Sequence, residues 1–312
     1  MKKDYFPQLI SEICHEHNIK LDILQNGLIR ILSLNGEERV IWSKKFEINS
    51  VIATKIADNK SSTYEILKHN KIPCVPHKRY KCHYENCICY LDKSSVDNIC
   101  HDLDKYKELI LKPENGYEGS DVYRCSHVED LFQMLKKLQK PYSYLCSSPY
   151  YCIKAEYRTI CLNGIPLLSY KKTLPFVTGD GKNTVLQLTN QKYGDIFPLL
   201  INSKKNYIPE IGEKVTIGWK FNLSQGAKSS PITNPTLLKK IQKLSLEAAR
   251  SIHIEFASID IIETISGDFL VLEINSGVVL NQFINDSPEN YDLAKRIYRE
   301  AILSMFTKSR DS

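Results

Sequence analysis

The residues best suited to chemistry lie near the C-terminal end. In Phe256-Ala257-Ser258-Ile259-Asp260-Ile261-Ile262, Asp260 is the one charge in an apolar run, and Glu273 and Asn275 follow on the next apolar segment. Side chains two apart on a strand share a face, so Glu273 and Asn275 point one way while Leu272 and Ile274 point into a core. A two-residue hairpin turn at Ser266-Gly267 would pair Ile265 with Asp268. That register sets Asp260 directly opposite Glu273, with Cα atoms roughly 4.5–5.5 Å apart. Like charges so opposed repel unless a cation lies between them. Oxygen-only ligands from Asp, Glu and an Asn amide suit Mg²⁺, a hard ion that shares its shell with phosphates. The alternative is a pair of solvent-facing acids on a half-exposed sheet.

A second candidate lies in Leu111-Lys112-Pro113-Glu114-Asn115-Gly116-Tyr117-Glu118-Gly119-Ser120, a lysine ending an apolar strand before two spaced glycines. Glycines let backbone N–H groups cradle phosphate oxygens, and the lysine adds a point charge. The segment is not a Walker A loop, which needs Gly-Lys-Ser/Thr after its glycines, and an ordinary glycine turn looks similar. The chain has no HExxH and no defensible Ser-His-Asp or Cys-His arrangement. Cys82-His83 with Cys87 and Cys89 can be drawn as a zinc site, but without the repeated CxxC pair that marks one. The ten cysteines run from Cys14 to Cys161. Free thiols in a reducing compartment suit so long a chain better than a disulfide scaffold.

These residues need elements to hold them. A helix is expected over Pro7–Glu16, then a small β-meander with tight turns at Asn26-Gly27 and Asn35-Gly36, ending near Trp42. Ser50–Leu67 is helical in composition, and Pro73-Cys74-Val75-Pro76 must leave the helix. Further strands are expected over Leu109–Pro113, Tyr157–Leu162, Pro166–Thr173, Phe256–Ile262 and Phe269–Ile274. Helices are expected over Val128–Gln139 and Leu293–Phe306. Leu237, Leu238, Ile241, Leu244, Ala248 and Ile252 recur at helical spacing, so one face of that helix is buried. Strands and helices mix without strict alternation, which predicts an α+β architecture.

Taken in order, Lys60, Lys112-Pro113 with its glycine loop, Glu156-Tyr157-Arg158, Asp260 and Glu273-Ile274-Asn275 resemble the ATP-grasp superfamily. The closer resemblance is to the ATP-grasp modules of cyanophycin synthetase and related peptide or amino-acid ligases. Pro175-Phe176-Val177-Thr178-Gly179-Asp180-Gly181-Lys182-Asn183-Thr184 looks like their P-x-V-x-G-D-G-x-x-T loop. Lys220-Phe221-Asn222-Leu223-Ser224-Gln225-Gly226-Ala227 looks like their K/R-x-N-L-S-x-G-G/A stretch. The resemblance implies two α+β lobes holding nucleotide between them. A short N-terminal β-rich segment would span 1–49 and the ATP-grasp domain 50–312, its flap-bearing lobe about 70–143 and its metal-binding lobe about 144–312. It implies ATP and two Mg²⁺ ions as cofactors and an ADP-forming carbon–nitrogen ligase that works through an acyl phosphate. Lys60 and Lys112 would hold ATP phosphates beneath a flap at Gly116 and Gly119, and Tyr150 would lie at the adenine hinge. Asp260, Glu273 and Asn275 would bind Mg²⁺, and Arg158, Lys220 and Asn222 would serve phosphoryl transfer. The family commonly has Asp-Lys where this chain has Asn59-Lys60.

The partners implied are small-molecule or peptide carboxylates and amines, and the family allows a homodimer. A catalytically quiet ATP-binding protein of the same fold is the alternative, opposed by the intact acidic set. Net charge is +6 but spread along the chain, which favours an anionic ligand without making a nucleic-acid patch. No apolar run reaches bilayer length, and Met1-Lys2-Lys3-Asp4-Tyr5-Phe6-Pro7 lacks a secretory signal, so the expected address is the cytoplasm with no membrane partner.

Overall fold

The computed structural model describes residues 4–85, 88–116, 121–138, 141–194 and 204–307. The chain opens with helix α1 (Phe6–Glu16), which buries Phe6, Leu9, Ile10 and Ile13 along one stripe. An antiparallel meander follows, in the order β1 (Lys20–Leu24), β2 (Ile29–Leu34), β3 (Glu37–Trp42) and β4 (Lys45–Phe46). Asn35 and Gly36, at φ 51° and 84°, make the expected two-residue turn, with Leu34 facing Glu37. The turn at Asn26-Gly27 is longer than expected: Leu24 pairs with Ile29, so four residues connect the strands. Arg30 holds this wider loop by donating from Nη1 to the Gly27 carbonyl at 2.7 Å.

The helical stretch after Ser50 is two helices, α2 (Val51–Ala57) and α3 (Lys60–His69). Each begins with a side-chain cap: Ser50 accepts from the Ala53 N–H, and Asn59 accepts from the Ser62 N–H. The break therefore sets Lys60 on the first turn of α3. Asp58, in the break, accepts from Ser276 Oγ at 2.6 Å and pairs with Lys45, tying it to the end of the acid hairpin.

The next group of elements comprises β5 (Lys78–Lys81), β6 (His83–Glu85), β7 (Ile88–Tyr90), α4 (Lys93–Tyr106), β8 (Leu109–Pro113), β9 (Tyr123–Cys125), α5 (Val128–Leu138) and β10 (Tyr144–Pro149). Its sheet runs β5-β10-β8-β9, and Ile99, Leu103, Leu131 and Leu135 of the two helices pack on Leu109, Leu111 and Leu145. Cys82 is buried in this core; Cys87 and the Cys89 side chain lie outside the described residues.

The C-terminal lobe comprises β11 (Ile153–Leu162), β12 (Ile165–Thr173), β13 (Phe176–Thr178), α6 (Val185–Tyr193), β14 (Lys214–Thr216), β15 (Lys228–Pro231), α7 (Pro235–Ser251), β16 (Phe256–Thr264), β17 (Phe269–Asn275), α8 (Asn281–Asp286) and α9 (Glu289–Thr307). Five of these strands form an antiparallel sheet, β15-β12-β11-β16-β17. On one face, α7 packs Ile241, Leu244 and Ala248 against Tyr157, Ile259, Ile261 and Ile274, which confirms the helical spacing. The other face is covered by α1, the N-terminal meander and α9 over Ile160, Leu162 and Phe256. Each fully buried Leu, Ile or Phe in these layers contributes about 1.5–3 kcal/mol. Beyond the apolar cover, the same strands turn charged.

No helix among the described residues is long and apolar enough to cross a membrane.

Candidate active site

Asp260 lies directly opposite Glu273, with Ser258 opposite Asn275. The route to that register differs from the one the sequence suggests. Thr264 donates its N–H to the Asp268 carbonyl at 2.9 Å, so the turn has three residues, Ile265 to Gly267, with Gly267 at φ 89°. That alone would displace the register by one. A β-bulge restores it, because Asp260 faces Glu273 while Ile261 faces Val271, leaving Leu272 as the extra residue.

The charge between the acids is answered by the protein itself. Arg158 faces Asp260 across β11 and β16 and grips it with two donors, Nε to Oδ1 at 2.7 Å and Nη2 to Oδ2 at 2.5 Å. Lys172, buried on β12, reaches Asp260 Oδ2 at 3.0 Å and Glu156 Oε1 at 2.5 Å. The premise that the two facing acids need an added cation is therefore corrected: Arg158 and Lys172 supply positive charge on the Asp260 side. Burial pushes the Asp260 carboxyl up, but Arg158 and Lys172 outweigh it and hold the group below the usual carboxylate range. Glu156 goes the other way, raised by burial and by Asp260 against the opposing pull of Lys172. Glu273 is half-buried, and Asn275 donates its amide to Glu273 Oε1 at 3.2 Å.

Two lysines stand near Glu273. Lys112, at the end of β8, is 7% exposed, and its Nζ lies 3.0 Å from His77 Nε2. Lys60 donates to the carbonyls of Glu114 (3.3 Å) and Gly116 (3.2 Å). Glu114, also buried, accepts at Oε1 from the Ser61 N–H at 2.9 Å and from Ser61 Oγ at 2.8 Å, so it clasps the start of α3. Burial lowers the Lys112 pKa, the charge of Lys60 lowers it further, and Glu273 is among the acids that oppose this. Lys60, His77 and Glu273 line one narrow cavity. The lysines, His77 and Glu273 are thus one site.

Tyr150 follows β10, with its ring under the Arg124 guanidinium at 4.0 Å and edge-on to Trp219 at 6.0 Å. Its backbone N–H is taken by the Glu108 carbonyl. Cys146 pairs with Lys112, so Tyr150 stands four residues along β10 from the lysine, roughly 13 Å by strand rise. Lys220 sits at 5.4 Å from the Trp219 ring, and burial lowers its pKa against the pull of Asp121. Asn222 caps a short 3₁₀ turn, accepting at Oδ1 from the Ser224 N–H, while Gly226 closes the turn at φ 90°. The K-x-N-L-S-x-G-A stretch is thus a capped turn whose Leu223 and Ala227 are buried. Gly116 lends its carbonyl to Lys60, and Gly119 lies outside the described residues.

Lys172 and His77 escaped the sequence reading. Neither belongs to a motif, and only the sheet register and the chain path after α3 bring them to the site.

The donor set fits a hard divalent ion. Among the described residues, no three of His, Cys, Asp and Glu gather to hold a metal by themselves. Two opposed carboxylates and an adjacent amide are instead what an ion needs when it keeps water and phosphate ligands.

The architecture is the ATP-grasp fold. A bifunctional glutathione synthetase from Pasteurella multocida superposes with a TM-score of 0.57 at 15% identity, covering 94% of this chain and 44% of that one. This chain therefore spans less than half of that protein. A D-alanine–D-alanine ligase from Bacillus anthracis gives 0.54 at 15% identity, covering 82% and 71%. Its complex with ATP gives 0.51 at 14% identity, covering 82% and 69%. More narrowly, residues 215–300 match the RimK-like ATP-grasp domain, the stretch that includes Asp260, Glu273 and Asn275. No curated protein matches the chain in sequence.

Proposed function

We propose that this chain is an ATP-dependent carboxylate–amine ligase that forms an amide or peptide bond through an acyl phosphate and releases ADP and phosphate. The observation that carries this reading is that Lys60 and Lys112, both held by neutral acceptors, gather with His77 beside Glu273, which faces Asp260 across the hairpin. Ammonium groups oriented but not neutralised suit phosphate oxygens, and the acids with Asn275 suit Mg²⁺. When bound there, Mg²⁺ would offset the charge developing on the transferring phosphoryl group.

In this reading Lys60, Lys112, Gly116 and Gly119 hold the triphosphate, and Tyr150 borders the base. Asp260, Glu273 and Asn275 take the metal. Arg158, Lys220 and Asn222 orient and neutralise the transferring group, and Lys172 joins them by fixing Asp260. A carboxylate acylates poorly because its leaving group would be oxide. Phosphorylation gives it a good leaving group, and an amine then attacks the acyl carbon with loss of phosphate. Such transfer asks the protein mainly for positioning and charge neutralisation, and no nucleophilic Ser or Cys is required.

The test is ADP release and hydroxamate formation with Mg-ATP, hydroxylamine, and pools of amino acids and short peptides. Hydroxylamine traps an acyl phosphate whatever the natural amine. Hydroxamate appearing together with ADP from one pool is the expected result and identifies the donor. ADP release equal in all pools, with no hydroxamate, would reject the acyl-phosphate reading.

A further inference from the structure

We propose that His77 is a positioning residue for phosphate binding: its Nε2 accepts a hydrogen bond from the Lys112 ammonium and fixes that charge in the cleft without cancelling it. The inference rests on the nucleotide-binding reading of Lys112 and adds to it the device that aims the lysine.

A buried lysine is usually paired with a carboxylate, but a carboxylate here would compete with the phosphate. Lys112 meets imidazole nitrogen at 3.0 Å instead. Lys60 is held in the same manner by two backbone carbonyls. Glu114, the acid next to both, has its Oε1 engaged by Ser61. An ammonium has three donors, so one bond to His77 leaves two for phosphate oxygens. The ammonium can only donate, so Nε2 is the acceptor and the proton of the neutral ring lies on Nδ1. Burial first, then the charges of Lys112 and Lys60, keep the ring neutral.

His77 also spans two lobes. Val75 donates its N–H to the Val271 carbonyl at 2.9 Å, and Val271 donates to the Pro73 carbonyl at 2.9 Å. The segment carrying His77 is therefore laced to β17 two residues from Glu273. Lys112 belongs to the sheet of the other lobe. The imidazole is thus a strut that sets the distance between the lysine and the acid hairpin.

The two amide side chains separate this role from general packing. The amide head of Gln reaches the position of the histidine Nε2, and that of Asn only the position of Nδ1. Binding of a non-hydrolysable ATP analogue with Mg²⁺ would be measured by calorimetry for His77→Gln, His77→Asn and Lys112→Ala, with each variant's melting temperature recorded. Lys112→Ala is expected to weaken binding more than tenfold. His77→Asn is expected to weaken it about tenfold, and His77→Gln to stay within about threefold of wild type, the range set by one hydrogen bond to a charged group. His77→Asn binding as wild type, or His77→Gln as weak as His77→Asn, would overturn the positioning role. Wild-type affinity in Lys112→Ala would instead remove the nucleotide reading beneath it.

Discussion

Asp260 and Glu273 face each other across one hairpin but are held very differently, and this predicts how each tolerates loss of its charge. Asp260 is 1% exposed and gripped by Arg158 and Lys172, whereas Glu273 is half-buried with Asn275 as its hydrogen-bond partner. Asp260→Asn leaves the buried Lys172 and the partly buried Arg158 short of an anion and is expected to cost about 3–5 kcal/mol. Glu273→Gln keeps the shape and the acceptor, so it should leave the melting temperature within a few degrees while abolishing ADP formation. Thermal unfolding and ADP release on both variants would check the contrast; normal turnover in Glu273→Gln would remove it from the metal set. The pH dependence follows from the depressed Asp260 pKa. A carboxyl held below its ordinary 3.8 binds fewer protons folded than unfolded, so its contribution is complete above about pH 4 and is lost as pH falls through the folded value. Stability below pH 4 should therefore fall more steeply in wild type than in Asp260→Asn. The acids were legible because each is the one charge in an apolar run, Asp260 within 256–262 and Glu273 within 269–275. Lys172 was not, since a lysine beside Lys171 at a strand end reads as solvated surface until the register buries it.

Hairpin geometry decides which of these charges meet. Between β16 and β17 a turn one residue longer than the shortest is cancelled by the bulge at Leu272, so the expected pairing of Asp260 with Glu273 stands although its derivation does not. Between β11 and β12 the opposite happens. Asn163 and Gly164, at φ 49° and 75°, make a two-residue turn, and counting from it would place Lys171 opposite Glu156. A shift after Ile160 brings Lys172 there instead. Turn chemistry is local and readable, whereas a bulge is set by packing on both faces of the sheet. The P-x-V-x-G-D-G loop has a readable cause of the same local kind. A Cβ on Gly179 would lie 2.0 Å from the Glu210 carbonyl oxygen, and Asp180 Oδ1 accepts from the Lys182 and Asn183 N–H groups. Gly179→Ala should therefore open the contact between this loop and residues 209–213. Hydrogen exchange should quicken at Gly179, Gly181 and Gly212, whose amides bond across it. Unchanged protection there would show that the loop can shift to admit a methyl group.

At the scale of the molecule, the N-terminal segment and the site are joined by one core. The meander reads from sequence as an appendage before the nucleotide-binding domain, because its strands and turns are self-contained. What it packs against is not written locally. Phe6 and Phe46 stack edge-on with each other and with Tyr298 and Phe256, at centroid distances of 5.1–6.1 Å, apart from the parallel pair Phe46–Tyr298. Asn49 donates to the Phe256 carbonyl and accepts from the Glu255 and Phe256 N–H groups, so the end of the meander pins the start of β16. Four residues further along that strand is Asp260. Phe46→Ala should then cost about 3–5 kcal/mol, although Phe46 is far from the charged cleft in sequence. A chain beginning at residue 50 should fail to fold, because Ile160, Phe256, Ile297 and Tyr298 would lose their cover together. Calorimetry would check this through the unfolding transition. One cooperative transition in the full chain, absent in the truncated one, is the expected result. A truncated chain that melts cooperatively and still binds an ATP analogue would mean that the segment covers the site's scaffold without being needed to build it.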